Sequence, residues 1–145
     1  MTCPICAKHQ TTENRIFETG NWIVSHGPAA SQLLGYVYLE PKRHIENWSE
    51  FTDAEMAELG PLIQKVEIAI KKELPIDRLY AVTISEAVRH LHVHLIPRNE
   101  ESEVKGLPLI EQATQQNAPG KQLSESALSG FIERLHERIN GNNKE

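Results

Sequence analysis

Residues 89–98 read Arg-His-Leu-His-Val-His-Leu-Ile-Pro-Arg, with histidine and aliphatic side chains in strict alternation. Successive side chains on a β-strand point to opposite faces. A strand here lines His90, His92 and His94 along one face and buries Leu91, Val93 and Leu95 on the other. A helix would scatter the imidazoles around its circumference. Pro97 offers no ladder donor and is expected to stop the strand. At about 3.3 Å per residue, His90 and His94 stand roughly 13 Å apart. That is too far for three rings to share one ion through bonds of about 2 Å. The row must divide its labour.

The pattern His-φ-His-φ-His-φ-φ, with φ apolar, is complete from His90 to Ile96 and is followed by Pro97-Arg98. It resembles the signature of the histidine-triad family of nucleotide hydrolases and transferases. The stretch from Gly35 to His44, GYVYLEPKRH, is similar to that family's central strand and the histidine just beyond it. The resemblance covers residues 3–98 and is most specific at the triad.

The chain has 145 residues and a formal net charge of −5. That length fits one domain able to bury a core of its own. The negative balance argues against a broad nucleic-acid footprint. A nucleotide-sized anion needs only a local cluster of donors. No apolar run approaches the ~20 residues that span a bilayer, and residues 1–20 lack the apolar centre of a secretory signal. A cytoplasmic protein is expected. Two cysteines in a reducing compartment point to metal or redox chemistry before a structural disulfide.

Cys3-Pro4-Ile5-Cys6 is a C-x-x-C knuckle able to present two thiolates to one zinc ion, and is only half of a tetrahedral site. A thioredoxin-like redox pair is the rival, without a preceding strand or following helix pattern to support it. Arg15–Glu18 and Trp22–His26 read as short strands around a Thr19-Gly20-Asn21 turn. Residues 36–40 form the next strand. Thr52 and Glu55 make a capping box for a helix over 53–73, whose apolar face carries Met56, Leu59, Ile63, Val66, Ile70 and Leu74. Gly60-Pro61 predicts a kink there or two short helices. Leu79–Ser85 is strand-like and pairs antiparallel with the histidine strand. Residues 99–123 read as a long polar loop, and Ser124 caps a last helix over 124–140 that Gly141 closes.

The resemblance implies roles. Cys3, Cys6, His44 and His90 match the ligands of a structural zinc ion in zinc-bearing members. His92 matches the nucleophile that forms a nucleotidyl-histidine, its other ring nitrogen held by a backbone carbonyl. His94 can donate to a non-bridging phosphate oxygen as charge grows there. Ser25 or His26 falls where relatives place a ribose contact, and both also suit a solvent-facing turn. Arg98 could reach further phosphates or pair with a carboxylate. Two departures stand out: Glu86 and Ala87 occupy positions where the family often has Gln and Ser or Thr, with Ser85 one residue further back as a substitute. Tyr36 replaces a family histidine.

The expected fold is α+β: a five-stranded, mainly antiparallel sheet with one long helix packed on it and a C-terminal helix at its edge. It is a single domain, 1–145. By resemblance, the activity is hydrolysis or transfer at a nucleotide α-phosphate. Dinucleoside polyphosphates, nucleoside phosphoramidates and adenylated conjugates are the substrate candidates, and a homodimer is the common assembly. The partners are a nucleotide and no nucleic acid or membrane. Two other classes stay open: a metal-dependent hydrolase using the histidine row as ligands, and a non-catalytic nucleotide-binding regulatory module.

Overall fold

The computed structural model describes residues 2–141. Strands Arg15–Glu18 (β1), Trp22–His26 (β2), Val37–Pro41 (β3), Ile76–Val82 (β4) and Val93–Asn99 (β5) form one sheet in the order β1-β2-β3-β5-β4. Every neighbouring pair is antiparallel. Around the sheet lie helices Pro4–Lys8 (α1), Asp53–Glu73 (α2), Leu107–Gln115 (α3) and Glu125–Asn140 (α4). The architecture is the α+β one expected.

The sheet has two faces of different chemistry. Trp22 and Val24 of β2, Val37 and Leu39 of β3, and Val93 and Leu95 of β5 share the face that packs on α2 and α4. There they meet Leu59, Leu62, Val66, Ala69 and Ile70 of α2 and Phe131, Leu135 and Ile139 of α4. The register sets Ser25 opposite Tyr38 and Tyr38 opposite His94, so the alternate residues Ser25, Tyr38, Glu40, His94 and Ile96 occupy the other face. α1 lies over one end of that second face, where Lys8 and His9 both bind buried Glu40. α3 lies over the other end, with Leu109 and Ala113 packed against Tyr36 and Ile96.

α2 begins as its capping box requires: Thr52 and Glu55 bond reciprocally. Arg43 grips Glu55 through two hydrogen bonds, Nε to Oε2 at 3.1 Å and Nη2 to Oε1 at 2.9 Å. The guanidinium holds that carboxyl down at about 2. The β3 exit, and with it His44, is thereby fixed to the start of α2.

Several local expectations are corrected. β5 begins only at Val93, so His90, Leu91 and His92 precede the ladder, with Leu91 N–H donating to Ile45 O. Nor does Pro97 end the strand, which continues to Asn99. β3 reaches only to the Val37–Leu95 pair, so beyond Leu95 no β3 partner needs a donor from Pro97. Gly35, at φ +93°, passes between Leu74 and Pro97, where a Cβ would come within 2.8 Å of Leu74 Cδ1 and 3.2 Å of Pro97 Cγ. Pro61 does not split α2: it sits on the exposed side of one continuous helix, as does Ala57, whose carbonyl it leaves without a helical donor. Met56 is exposed while Leu62 and Ala69 are buried, rotating the apolar face from the one expected. Residues 99–123 are not all loop, since they contain α3. The cap of the last helix at Ser124 and its closure at Gly141 are as expected.

Candidate functional site

The histidine row splits at its first member. His90 is fully buried and turns its ring toward α1. Its Nδ1 lies 3.6 Å from Cys3 Sγ and 3.4 Å from Cys6 Sγ, while His44 Nδ1 is 3.6 Å from Cys6 Sγ. All four ligand atoms fall within 4.8 Å of one another. Bonds of about 2.3 Å to sulfur and about 2.0 Å to nitrogen at a tetrahedral angle separate S and N by roughly 3.5 Å. The donor set fits zinc in both chemistry and spacing. Outer partners are present too: His90 Nε2 donates to Pro41 O at 2.8 Å, and His44 Nε2 faces Glu46 Oε2 at 3.3 Å. Burial holds the His90 imidazole below its usual range, which keeps it neutral. Cys3 also caps α1, its sulfur accepting the Cys6 N–H.

His92 and His94 remain neighbours, their ring centroids 4.9 Å apart. His92 Nδ1 lies 2.8 Å from His90 O, an acceptor only, so that nitrogen carries the proton. In the neutral ring Nε2 is then the nitrogen that keeps the lone pair. His94 has the opposite arrangement: its Nδ1 is 2.6 Å from the Tyr36 hydroxyl. Burial first, and the neighbouring His92 second, push His94 down to about 4, so it is neutral at pH 7. Burial raises the Tyr36 phenol far above its normal range, so it keeps its proton. With Tyr36 donating to Nδ1, the His94 proton sits on Nε2. One ring offers a lone pair and its neighbour an N–H.

Ser85 sits under His92. Its hydroxyl accepts the His92 N–H at 3.0 Å and lies 3.3 Å from Nδ1. Ser85 adopts φ +55°, a left-handed conformation uncommon for serine; the bonds to His92 hold it there. Thr83 adds a hydrogen bond to His92 O at 2.8 Å. The pair opens into a cleft of about 280 Å³ lined by the 84–88 loop on one side and Thr114 and Gln115 of α3 on the other. Glu86 leans away to Arg89, at 2.9 Å, and Arg89 also reaches Glu46.

The structure thus joins His92, His94 and Ser85, and separately Cys3, Cys6, His44 and His90. The other candidates lie elsewhere. Ser25 shares the open face and the transverse row with Tyr38 and His94, but it is 2% exposed and its hydroxyl finds no partner among the described residues. His26 faces the helices: one ring nitrogen meets Gly27 O at 2.8 Å, the other accepts the Gly35 N–H at 2.9 Å, and Phe131 packs edge-on. Arg98 lies four residues along β5 from His94, paired with Asp77. Sequence reasoning missed Tyr38, Glu40, Lys8 and α3. The alternation Tyr36-Val37-Tyr38-Leu39-Glu40 carried the signal for two of them, since it puts two phenols and a carboxylate on the histidine face.

The antiparallel sheet thus presents a two-histidine cleft beside a Cys₂His₂ cluster. The HIT domain family profile matches residues 9–101. The chain belongs to the HIT family. A hypothetical histidine triad nucleotide-binding protein from Sulfolobus tokodaii strain 7 superimposes with a TM-score of 0.72 at 22% identity, covering 96% of this chain and 93% of that one. A zinc-bound histidine triad family protein from Mycobacterium smegmatis gives 0.72 at 17% identity, over 99% and 97%. A HIT-like protein involved in cell-cycle regulation from Bartonella henselae gives 0.68 at 20%, over 95% and 99%. An uncharacterised HIT-like protein from Saccharolobus solfataricus is 29% identical over 68 residues, 43% of this chain and 49% of the relative. The match thus spans about half the length of that curated relative. Among the described residues, no helix is long and apolar enough to cross a membrane.

Proposed function

We propose that the chain, acting as a single HIT-like domain, is a nucleotide hydrolase or transferase that works through a nucleotidyl-His92 intermediate. Its substrates are dinucleoside polyphosphates or nucleoside phosphoramidates, cleaved at the α-phosphate. The observation that carries this reading is the His92 Nδ1 contact with His90 O at 2.8 Å, which makes Nε2 the free nitrogen of the neutral ring in a residue that lines the cleft.

Nε2 attacks the α-phosphorus, forming a P–N bond as the bond to the leaving group breaks. The departing electron pair ends on a phosphate oxygen, or on an amine that takes a proton from water at the cleft mouth. His94 donates its Nε2 proton in a hydrogen bond to a non-bridging oxygen and stabilises the charge developing there. Water then attacks the same phosphorus and the P–N bond breaks. The electron pair returns to Nε2, one proton passes to solvent, and a nucleoside monophosphate leaves. Ser85 holds the His92 backbone and lines the phosphate site. In this reading Ser25 and His26 serve the fold, and Arg98 serves the sheet end through Asp77.

Cys3, Cys6, His44 and His90 would hold zinc in a closed, structural site, where the ion supplies cross-linking and no open coordination position. That pins α1 to the segment preceding His92. The reading places the protein in a reducing cytoplasm, where both thiols stay available. It also takes the chain as a homodimer, with β4 the sheet edge that a second copy would cover.

The test is incubation with diadenosine triphosphate or adenosine 5′-phosphoramidate, followed by intact-mass analysis of wild type and His92→Ala. An adenylyl adduct in the wild type alone is expected. Turnover retained by His92→Ala and abolished by chelators would replace this chemistry with metal-dependent hydrolysis. Glu86 and Ala87, which give that wall neither amide nor hydroxyl, favour a second reading as a nucleotide-binding regulatory module. Tight binding without adduct or turnover would select it.

A further inference from the structure

Residues 102–123 lie outside the family match, yet they are tied to the sheet and to the 29–32 connection between β2 and β3. Leu109 and Ala113 are buried against Tyr36, the residue that holds His94. Gly106 N–H donates to the Tyr80 hydroxyl at 2.9 Å, Gln32 Nε2 to Ala118 O at 2.7 Å, and Leu123 N–H to Ala29 O at 3.1 Å. α3 is therefore fixed in register with His94, and its last turn ends at the cleft with Thr114 and Gln115.

The opposite wall offers little to a substrate beyond the α-phosphate. Ile84, Ala87 and Val88 are apolar, Glu86 is anionic, and no lysine or arginine lines the cleft. Thr114 spends its hydroxyl proton on Ile110 O at 2.8 Å. The Gln115 carboxamide has no hydrogen-bond partner among the described residues. It is the one neutral side-chain amide facing the histidines. His92 and His94 form the half-buried floor, whereas Ile84, Glu86 and Gln115 are exposed and form the rim. In an in-line displacement the leaving group departs opposite the nucleophile, here from floor toward rim.

We propose that Gln115, carried to the cleft by α3, is a specificity-determining residue whose carboxamide hydrogen-bonds the leaving group of the nucleotide substrate. This rests on the reading of the cleft as a nucleotide site with His92 on its floor. An amide serves either kind of leaving group. It donates to a phosphate oxygen or accepts from an amine N–H. Discrimination then comes from Glu86 on the opposite wall of the cleft, which repels the more anionic of the two.

The experiment measures dissociation constants in a His92→Asn background, which prevents turnover. The ligands are AMP and two that extend past the α-phosphate: diadenosine triphosphate and an N-alkyl adenosine 5′-phosphoramidate. Adding Gln115→Ala is expected to weaken both extended ligands about fivefold, the value of one neutral hydrogen bond, and to leave AMP unchanged. Gln115→Glu should weaken diadenosine triphosphate more than the phosphoramidate. Equal effects on all three ligands, or no effect on any, would overturn the proposal. Failure of wild type to form the adenylyl adduct would sink the chemistry at His92, while these binding ratios would still decide Gln115. No binding of any ligand overturns both.

Discussion

The Tyr36 hydroxyl lies 2.6 Å from His94 Nδ1, with the two rings stacked at 5.8 Å between centroids. The phenol cannot ionise near neutrality because burial raises it so far. When it donates its proton in a hydrogen bond to Nδ1, His94 is held as the Nε2–H tautomer. Tyr36→Phe keeps the ring and removes the donor. The expected result is a mixed His94 tautomer, visible in ¹⁵N imidazole shifts, and a kcat lowered about fivefold to tenfold with KM little changed. Unaltered ¹⁵N shifts would mean the ring is held by packing alone.

How far the site was legible in the sequence can be judged from this pair. The alternation of His92, Val93 and His94 announced a two-faced strand, because period two has no other economical use. The strand bounds of β1 and β2 and the capped start of α2 were equally local and equally readable. His90 was harder. Its ring direction depends on α1, 84 residues away in sequence at Cys6, and no local pattern encodes that contact. The continuation of β5 through Pro97 depended on where β3 stops, again a property of the partner. α3 hid inside a polar stretch whose few apolar residues, Leu109 and Ala113, gain meaning only against Tyr36 and Ile96.

His26 gives the fold an acid weakness. Burial drives it down to about 4, and both ring nitrogens are used as a neutral imidazole would use them. In the unfolded chain this imidazole binds a proton near the ordinary 6.5. Its contribution is thus full above pH 6.5 and is lost as pH falls toward 4. His26 alone should remove about 2 kcal/mol by pH 5, with His94 adding a smaller amount in the same window because it is partly exposed. Glu55, held near 2 by Arg43, matters only below about 4.5. Urea unfolding at pH 7.5, 6 and 5 checks this, and a flat profile across that range would contradict it.

Zinc should behave as a fold component. One ion per chain is expected by metal analysis, with Cys6→Ser losing it. Stripping the ion with a chelator should lower Tm by about 10 °C, which corresponds to roughly 3 kcal/mol for a chain of this length. Circular dichroism melts with and without chelator read this directly. Protein purified without zinc that melts at the same temperature after chelation would remove the ion from the account.

Glu86 is exposed and leans on Arg89, which shares its charge with Glu46. The carboxylate still stands at the cleft rim. Glu86→Gln should strengthen binding of an anionic nucleotide about twofold to fivefold, the scale of one solvent-exposed charge. The gain should shrink as salt rises from low to physiological concentration. A salt-independent gain would point instead to a new hydrogen bond from the amide.

Ser25 poses the opposite problem, a polar group with too little around it. Its side chain is 2% exposed and its hydroxyl is unpartnered among the described residues, in a row with Tyr38 and His94. Burying an unsatisfied hydroxyl costs about 1–3 kcal/mol. Ser25→Ala removes one oxygen from a strand position whose backbone pairs on both sides, with β1 and with β3. The variant should gain about 1 kcal/mol in urea unfolding. AMP affinity should stay unchanged, because the hydroxyl is closed off from solvent. If affinity instead falls fivefold or more while stability does not rise, Ser25 contacts the ligand. The open face of the sheet would then bind nucleotide as far out as β2.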